Sequence, residues 1–146
     1  MILRALMMAL FLAVSTTAAH GFGMIAISDN GAFGWSLNYL EYASALDEAL
    51  IACKKNGGED CYVPTTTNKL EMHAVPYMHM YVARSGVTTQ KMQIVGLGYD
   101  FEENNARKIA LMNCKNLSQG QWVVKNQRHI NAPSTCKIMK KMYNKK

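Results

Sequence analysis

The sequence predicts an α+β domain: two β-β-α-β units forming one antiparallel sheet, with two helices on one face and disulfide staples. Three observations carry that expectation. The pattern A-x-x-x-A-L-x-x-C occurs at residues 45–53 and again at 106–114, which marks two equivalent amphipathic helices and an internal duplication. Paired strand-like runs precede each helix, the first pair joined by Asn30-Gly31, a turn signal because it supplies positive φ. Four cysteines, Cys53, Cys61, Cys114 and Cys136, follow an N-terminal segment with the grammar of an export signal, and an even count in an exported chain implies two disulfides.

Taken in order, Arg4, the apolar run 5–14 and the small residues Ser15-Thr16-Thr17-Ala18-Ala19 read as a cleavable signal peptide spanning 1–19. The run falls short of the ~20 residues that cross a bilayer. Cleavage after Ala19 is favoured and cleavage after Gly21 is the alternative. Residues 20–136 then form a single domain, with units at about 22–67 and 77–136, and residues 137–146 form a basic C-terminal tail, read as a short helix or a free arm. A chain of 146 residues has room for one core and no second catalytic domain.

The first hairpin is expected from Met24-Ile25-Ala26-Ile27-Ser28 and Ala32-Phe33-Gly34-Trp35-Ser36, followed by a helix capped by Asn38 and Glu41 in a capping box. Lys54 and Lys55 suit its negative end, and Asn56-Gly57-Gly58 stops it. Cys61-Tyr62-Val63 begins the next strand. In the second unit, strands are expected at 79–83 and 92–98 around a turn at Arg84-Ser85-Gly86, then a helix boxed by Asp100 and Glu103, then a strand at 121–124. Among the three possible cysteine connectivities, the duplication favours Cys53–Cys61 with Cys114–Cys136. Cys53–Cys114 stays as the rival.

Charge is divided along the chain. Residues 20–103 hold ten acids and five bases, whereas residues 104–146 hold ten bases and no acid. Half of those bases, Lys137, Lys140, Lys141, Lys145 and Lys146, lie after Cys136. They are candidates for binding an anionic envelope surface or an acidic protein. A solvated tail is the plainer reading. Nucleic acid is not expected as a partner in that compartment, with Tyr143 the tail's one aromatic for stacking.

Candidate chemistry is sparse. A mature terminus at His20, with His73, His79, Met72, Met78 and Met80, offers amine, imidazole and thioether ligands for copper. The competing reading places Met78 and Met80 on one strand face as core. No nucleophile elbow or H-E-x-x-H helix occurs, and Gly96-Leu97-Gly98 lacks the third glycine of a nucleotide loop. Trp35, with Phe33, Tyr39 and Tyr42, is the aromatic candidate for a binding surface.

Residues 23–63 carry Met24-Ile25-Ala26-Ile27-Ser28, Gly31-Ala32-Phe33-Gly34-Trp35-Ser36-Leu37-Asn38-Tyr39, Ala45, Ala49-Leu50, Cys53 and Asp60-Cys61. This resembles a family of small exported bacterial domains catalogued as a domain of unknown function. The shared pattern is a G-x-I-A-x-S hairpin, a G-x-G-W/Y-S strand, an alanine-rich helix and a C…C pair. The chain departs from it at Met72-His73-Ala74-Val75-Pro76-Tyr77-Met78-His79-Met80 and in the distance of Cys136 from its helix. The resemblance implies fold and export and transfers no catalytic residue. The functional expectation is an exported, non-enzymatic domain, without a cofactor, that binds another envelope or secreted protein. An inhibitor or immunity protein against a secreted toxin or lysozyme-like enzyme, and a periplasmic copper binder, are the alternatives.

Overall fold

The computed structural model describes residues 21–66, 70–86, 93–118 and 135–145. The leader, His20, the strand expected at 121–124 and Lys146 lie outside them. Strand β1 (Phe22–Ile27) pairs antiparallel with β2 (Phe33–Tyr39), and helix α1 (Tyr42–Lys55) follows. Strands β3 (His79–Ser85) and β4 (Val95–Asp100) then lead to helix α2 (Glu103–Ser118) and strand β5 (Cys136–Tyr143). The fold is α+β, with disulfides joining Cys53 to Cys61 and Cys114 to Cys136.

The strands make two sheets, β1-β2 and β4-β3-β5, where one was expected. Their inner faces share a core: Ile25 and Ile27 meet Met80, Val82, Val95, Leu97 and Met142. The alternate residues face outward, Met24 and Ala26 onto α1, Tyr81 and Ala83 onto α2. The helices therefore cover opposite outer faces, in the order helix, sheet, sheet, helix, and do not share one face. The cause lies in the strands themselves. β1 and β3 are apolar on both sides, and a sheet apolar on both sides needs cover on both.

Each helix lies close to its hairpin because its buried line is small: Ala45, Ala49 and Cys53 in α1, Ala106, Ala110 and Cys114 in α2. Gly34 and Gly96 complete the approach. A Cβ on Gly34 would stand 2.0 Å from the Cys53 nitrogen, and one on Gly96 2.2 Å from the Cys114 nitrogen, so only glycine fits under either helix.

Neither expected capping box forms. Glu41 is the N-cap of α1 without a side-chain hydrogen bond, and Asn38 instead takes a left-handed φ of 59°. At α2 the Asp100 carboxylate accepts the Glu102 amide at 2.7 Å, while Glu103 turns to Tyr81 and Lys141. Arg84 and Ser85, expected in a turn, remain in β3. The Ser85 amide donates to Ile94 and its hydroxyl accepts the Ile94 amide. The strand expected from Cys61 is reduced, among the described residues, to isolated bridges to β1, Tyr62 with Ile27 and Ala74 with Gly23.

The segment expected as a basic tail from 137 is, over its described residues, neither helix nor arm: Cys136–Tyr143 is the edge strand of the second sheet, paired with β3, so the domain continues past 136. The interleaved apolar and basic residues are a strand period. Ile138 packs toward α2 and Met142 into the central core. A register shift opposite Val82 and Ala83 leaves Met139 out of the ladder, and the bulge with its flanking lysines suits an edge that must not pair further.

Candidate functional site

The hairpins point the same way, and this creates two dissimilar ends. At one end the tip of the first hairpin rests on the second half: Asp29 accepts the Gln93 amide, and the Gly31 carbonyl accepts the Arg84 guanidinium. At the other end β1 begins, β2 and β4 finish, β3 begins and β5 finishes. Four of the large exposed apolar side chains stand at or beside these strand termini: Leu40 at 66% exposure, Leu70 at 65%, Phe101 at 60% and Tyr77 at 51%. Exposed apolar residues at one end of a packed body are candidates for contact with a partner.

Asn144 organises that end. It is fully buried, and its side-chain amide donates to the Gly21 carbonyl at 2.8 Å and to Ala74 at 3.4 Å. Its side-chain oxygen accepts the Asn38 amide at 2.9 Å, and its backbone carbonyl accepts the Tyr77 amide. Asn38 and Tyr77 are, among the described residues, the non-glycine positions with positive φ, 59° and 67°. Both are held through their amides by this one residue. Asparagine tolerates that conformation, but tyrosine does so at a cost of about 1 kcal/mol or more. The strain presents the Tyr77 ring outward after Pro76.

Beside these residues is a cavity of about 270 Å³. On its wall the Thr66 amide donates to the Leu70 carbonyl and the Met72 amide to the Pro64 carbonyl. Glu71, His73 and, from β4, Tyr99 complete the lining. One Glu71 oxygen accepts the Tyr42 hydroxyl at 2.5 Å. Burial, then that hydrogen bond, then the carboxylate's charge, push the Tyr42 pKa up to about 12. The rings of Phe22, Tyr42 and His73 meet edge to face at 5.5–5.8 Å, which fixes the imidazole. The Tyr99 hydroxyl is buried against the Ile25 backbone without completing a hydrogen bond, and burial drives its pKa upward.

A second tyrosine and carboxylate pair lies on α2. Tyr81 donates to Glu103 at 2.7 Å, and Lys141 joins the same oxygen. The hydrogen bonds from Lys141 and Tyr81 hold the Glu103 carboxyl below its usual range, and Glu103 raises Lys141 in return. Burial first, then Glu103, raises Tyr81.

The residues singled out from sequence are dispersed. Lys140 lies over the Trp35 ring at 4.7 Å, a cation–π contact, and half-buried Trp35 packs with Phe33 on the central core. Lys141 is paired with Glu103, and Lys137 and Lys145 are exposed. Met80 is fully buried, the Met78 sulfur accepts the Val75 amide, and His79 stacks on Tyr143 at 4.7 Å with its Nδ1 unpartnered among the described residues. No three His, Cys, Asp or Glu side chains gather to hold a metal among the described residues. Sequence reading missed Asn144, Tyr77 and the Tyr42–Glu71 pair. Pro76-Tyr77 carried a turn signal, whereas nothing local distinguishes Asn144.

A family model described as Domain of unknown function (DUF4189) matches residues 22–142, both hairpins and nearly all of β5. No curated protein and no solved structure matches the chain.

Proposed function

The chain belongs to that family, and we propose that it is an exported, non-enzymatic binding domain of the bacterial envelope or secreted fraction, which engages another protein through the strand-terminus end. The observation that carries this reading is the collection of Leu40, Leu70, Tyr77 and Phe101 around the Asn144 clasp. Exposed apolar and aromatic residues on a rigid frame lose little entropy when they are covered. Two disulfides and the leader grammar of residues 1–19 support export. The two halves are read as copies of one hairpin-and-helix unit.

The test is capture of the partner from envelope extract by the disulfide-bonded protein. Phe101→Ser with Leu40→Ser removes the partner while the folded far-ultraviolet spectrum is kept, and Lys137→Gln with Lys145→Gln does not. The reverse pattern, with capture surviving the first pair and abolished by the second or by high salt, moves the interface to the basic edge strand. Truncation after Cys136 cannot make this distinction, because it deletes β5 and Asn144. An inhibitor of a secreted enzyme is the second reading. What favours it is the strained, outward Tyr77, a side chain already held in place for insertion into a partner's cleft.

A further inference from the structure

The outermost line of each helix carries an exposed apolar side chain, and the two stand in opposite electrostatic company. Half a turn from the buried Ala49 and Ala110 are Ile51 in α1 and Met112 in α2, 46% and 54% exposed. One turn earlier on the same lines are Asp47 and Lys108, which occupy equivalent places in the repeated pattern. α1 holds two acids and two bases, whereas α2 and the adjoining β5 together hold six bases and the single acid Glu103. Lys141 and Tyr81 already engage that acid. We propose that the outer side of α2, with β5 beside it, docks on an anionic lipid bilayer. The proposal goes beyond capture of a protein at the strand-terminus end and does not depend on it.

Charge and placement both fit a bilayer. Arg107, Lys108 and Lys115 are exposed around Met112. β5, packed against α2 through Ile138 and Cys136, extends the positive surface with exposed Lys137, Lys140 and Lys141. All ten acidic side chains of the chain lie among the described residues, so no other residue brings a side-chain carboxylate to this face. The sequence between α2 and β5 adds Lys125 and Arg128 and no acid. Lysines on flexible stems suit lipid headgroups, which move sideways to meet them, whereas a protein partner must present fixed carboxylates in register. A methionine among cations suits the boundary between headgroups and acyl chains: the thioether enters the apolar layer while the cations stay with the phosphates. Each Lys or Arg near such a surface strengthens binding about fivefold. The attraction fades as salt shortens the Debye length, from about 10 Å at about 0.1 M to about 3 Å at about 1 M.

The experiment sediments the full, disulfide-bonded chain with vesicles of equimolar phosphatidylglycerol and phosphatidylcholine, and with pure phosphatidylcholine vesicles as the neutral control. Saturable binding to the anionic vesicles is expected, at least about tenfold tighter than to the neutral ones, and lost at about 1 M salt. Arg107→Gln with Lys108→Gln should weaken it about twentyfold. Lys54→Gln with Lys55→Gln removes the same charge from the opposite outer helix and should change it by less than about twofold. Met112→Ser should weaken it, by a smaller factor than the Arg107 and Lys108 pair. All of these side chains are exposed, so the variants keep the fold. No binding, equal binding to both vesicle types, or an equal loss in the two double variants overturns the proposal, the last because net charge rather than this face would then be responsible. Poly-glutamate that binds the chain while anionic vesicles do not overturns it in favour of an acidic protein. Self-association without vesicle binding, abolished by Arg107→Gln with Lys108→Gln, overturns it in favour of a second copy docked through Asp47 of α1.

Discussion

At the position where the first helix crosses its hairpin, Ser36 fits beneath α1 and its hydroxyl donates to the Ala45 carbonyl at 2.7 Å. At the equivalent crossing in the second half the residue is Gly98, and a Cβ there would stand 1.9 Å from the Ala106 carbonyl oxygen. The two halves share their element order, their Gly34 and Gly96 contacts and a disulfide from the helix end. They differ in how near the helix sits and in the span each disulfide closes. A common plan thus tolerates different side-chain chemistry as long as the buried line on the helix stays small.

The disulfides give the largest expected contrast. Cys114–Cys136 closes a separation of 22 residues and Cys53–Cys61 one of 8. On chain-entropy grounds, replacing the first pair by alanine costs about 3.4 kcal/mol and the second about 2.5 kcal/mol. Urea unfolding of the two double variants measures the difference, and an equal or reversed ranking would break the entropic account. Next comes the clasp that spans the halves. Asn144→Ala leaves the Asn38 amide and the Gly21 and Ala74 carbonyls without that partner and should cost about 3 kcal/mol by the same assay. A loss below 1 kcal/mol would mean that water replaces it freely.

Smaller effects sharpen the comparison at the helix crossings. Gly98→Ser should destabilise by about 2 kcal/mol through overpacking, while Ser36→Ala costs about 1 kcal/mol for one buried hydrogen bond. Thermal unfolding that ranks Ser36→Ala as the worse would show that both helices stand off equally. The smallest contrast is in pH. Glu103 is held below its usual range by Lys141 and Tyr81, so its contribution is present above the ordinary carboxylate pKa and lost as pH falls through the folded value. Tyr42 is raised from 10.0 to about 12, so its contribution is present below pH 10 and lost as pH rises through 12. The stability gap to Glu103→Gln should therefore close in acid and the gap to Tyr42→Phe in base, both measured by urea midpoints across pH.

Both helices were legible in the sequence because their buried line repeats every fourth residue and ends in a cysteine, a local signal. The Asn30-Gly31 hairpin was legible for the same reason: the Asn30 oxygen accepts the Ala32 amide and its nitrogen reaches Gly57, at the end of α1. The second sheet was written in the sequence too, in the unbroken apolar runs of β1 and β3. A run without alternation signals burial on both faces but does not name what lies on the second face. The edge strand was hidden by its lysines, which sit where an edge tolerates charge and imitate a solvated tail. The candidate site was the least legible part. Tyr42 meets Glu71 across 29 positions, and Asn144 meets Gly21 across 123, pairings that no local pattern encodes.

That last pairing also fixes an order of events. A polypeptide emerging from its amino end cannot finish the start of β1 until residue 144 is available to close over Gly21 and Asn38. Until then the core face of Ile25 and Ile27, already met by β3 and β4, lacks Met142 of β5. A protein so arranged cannot complete its fold until nearly all of its chain is available to it.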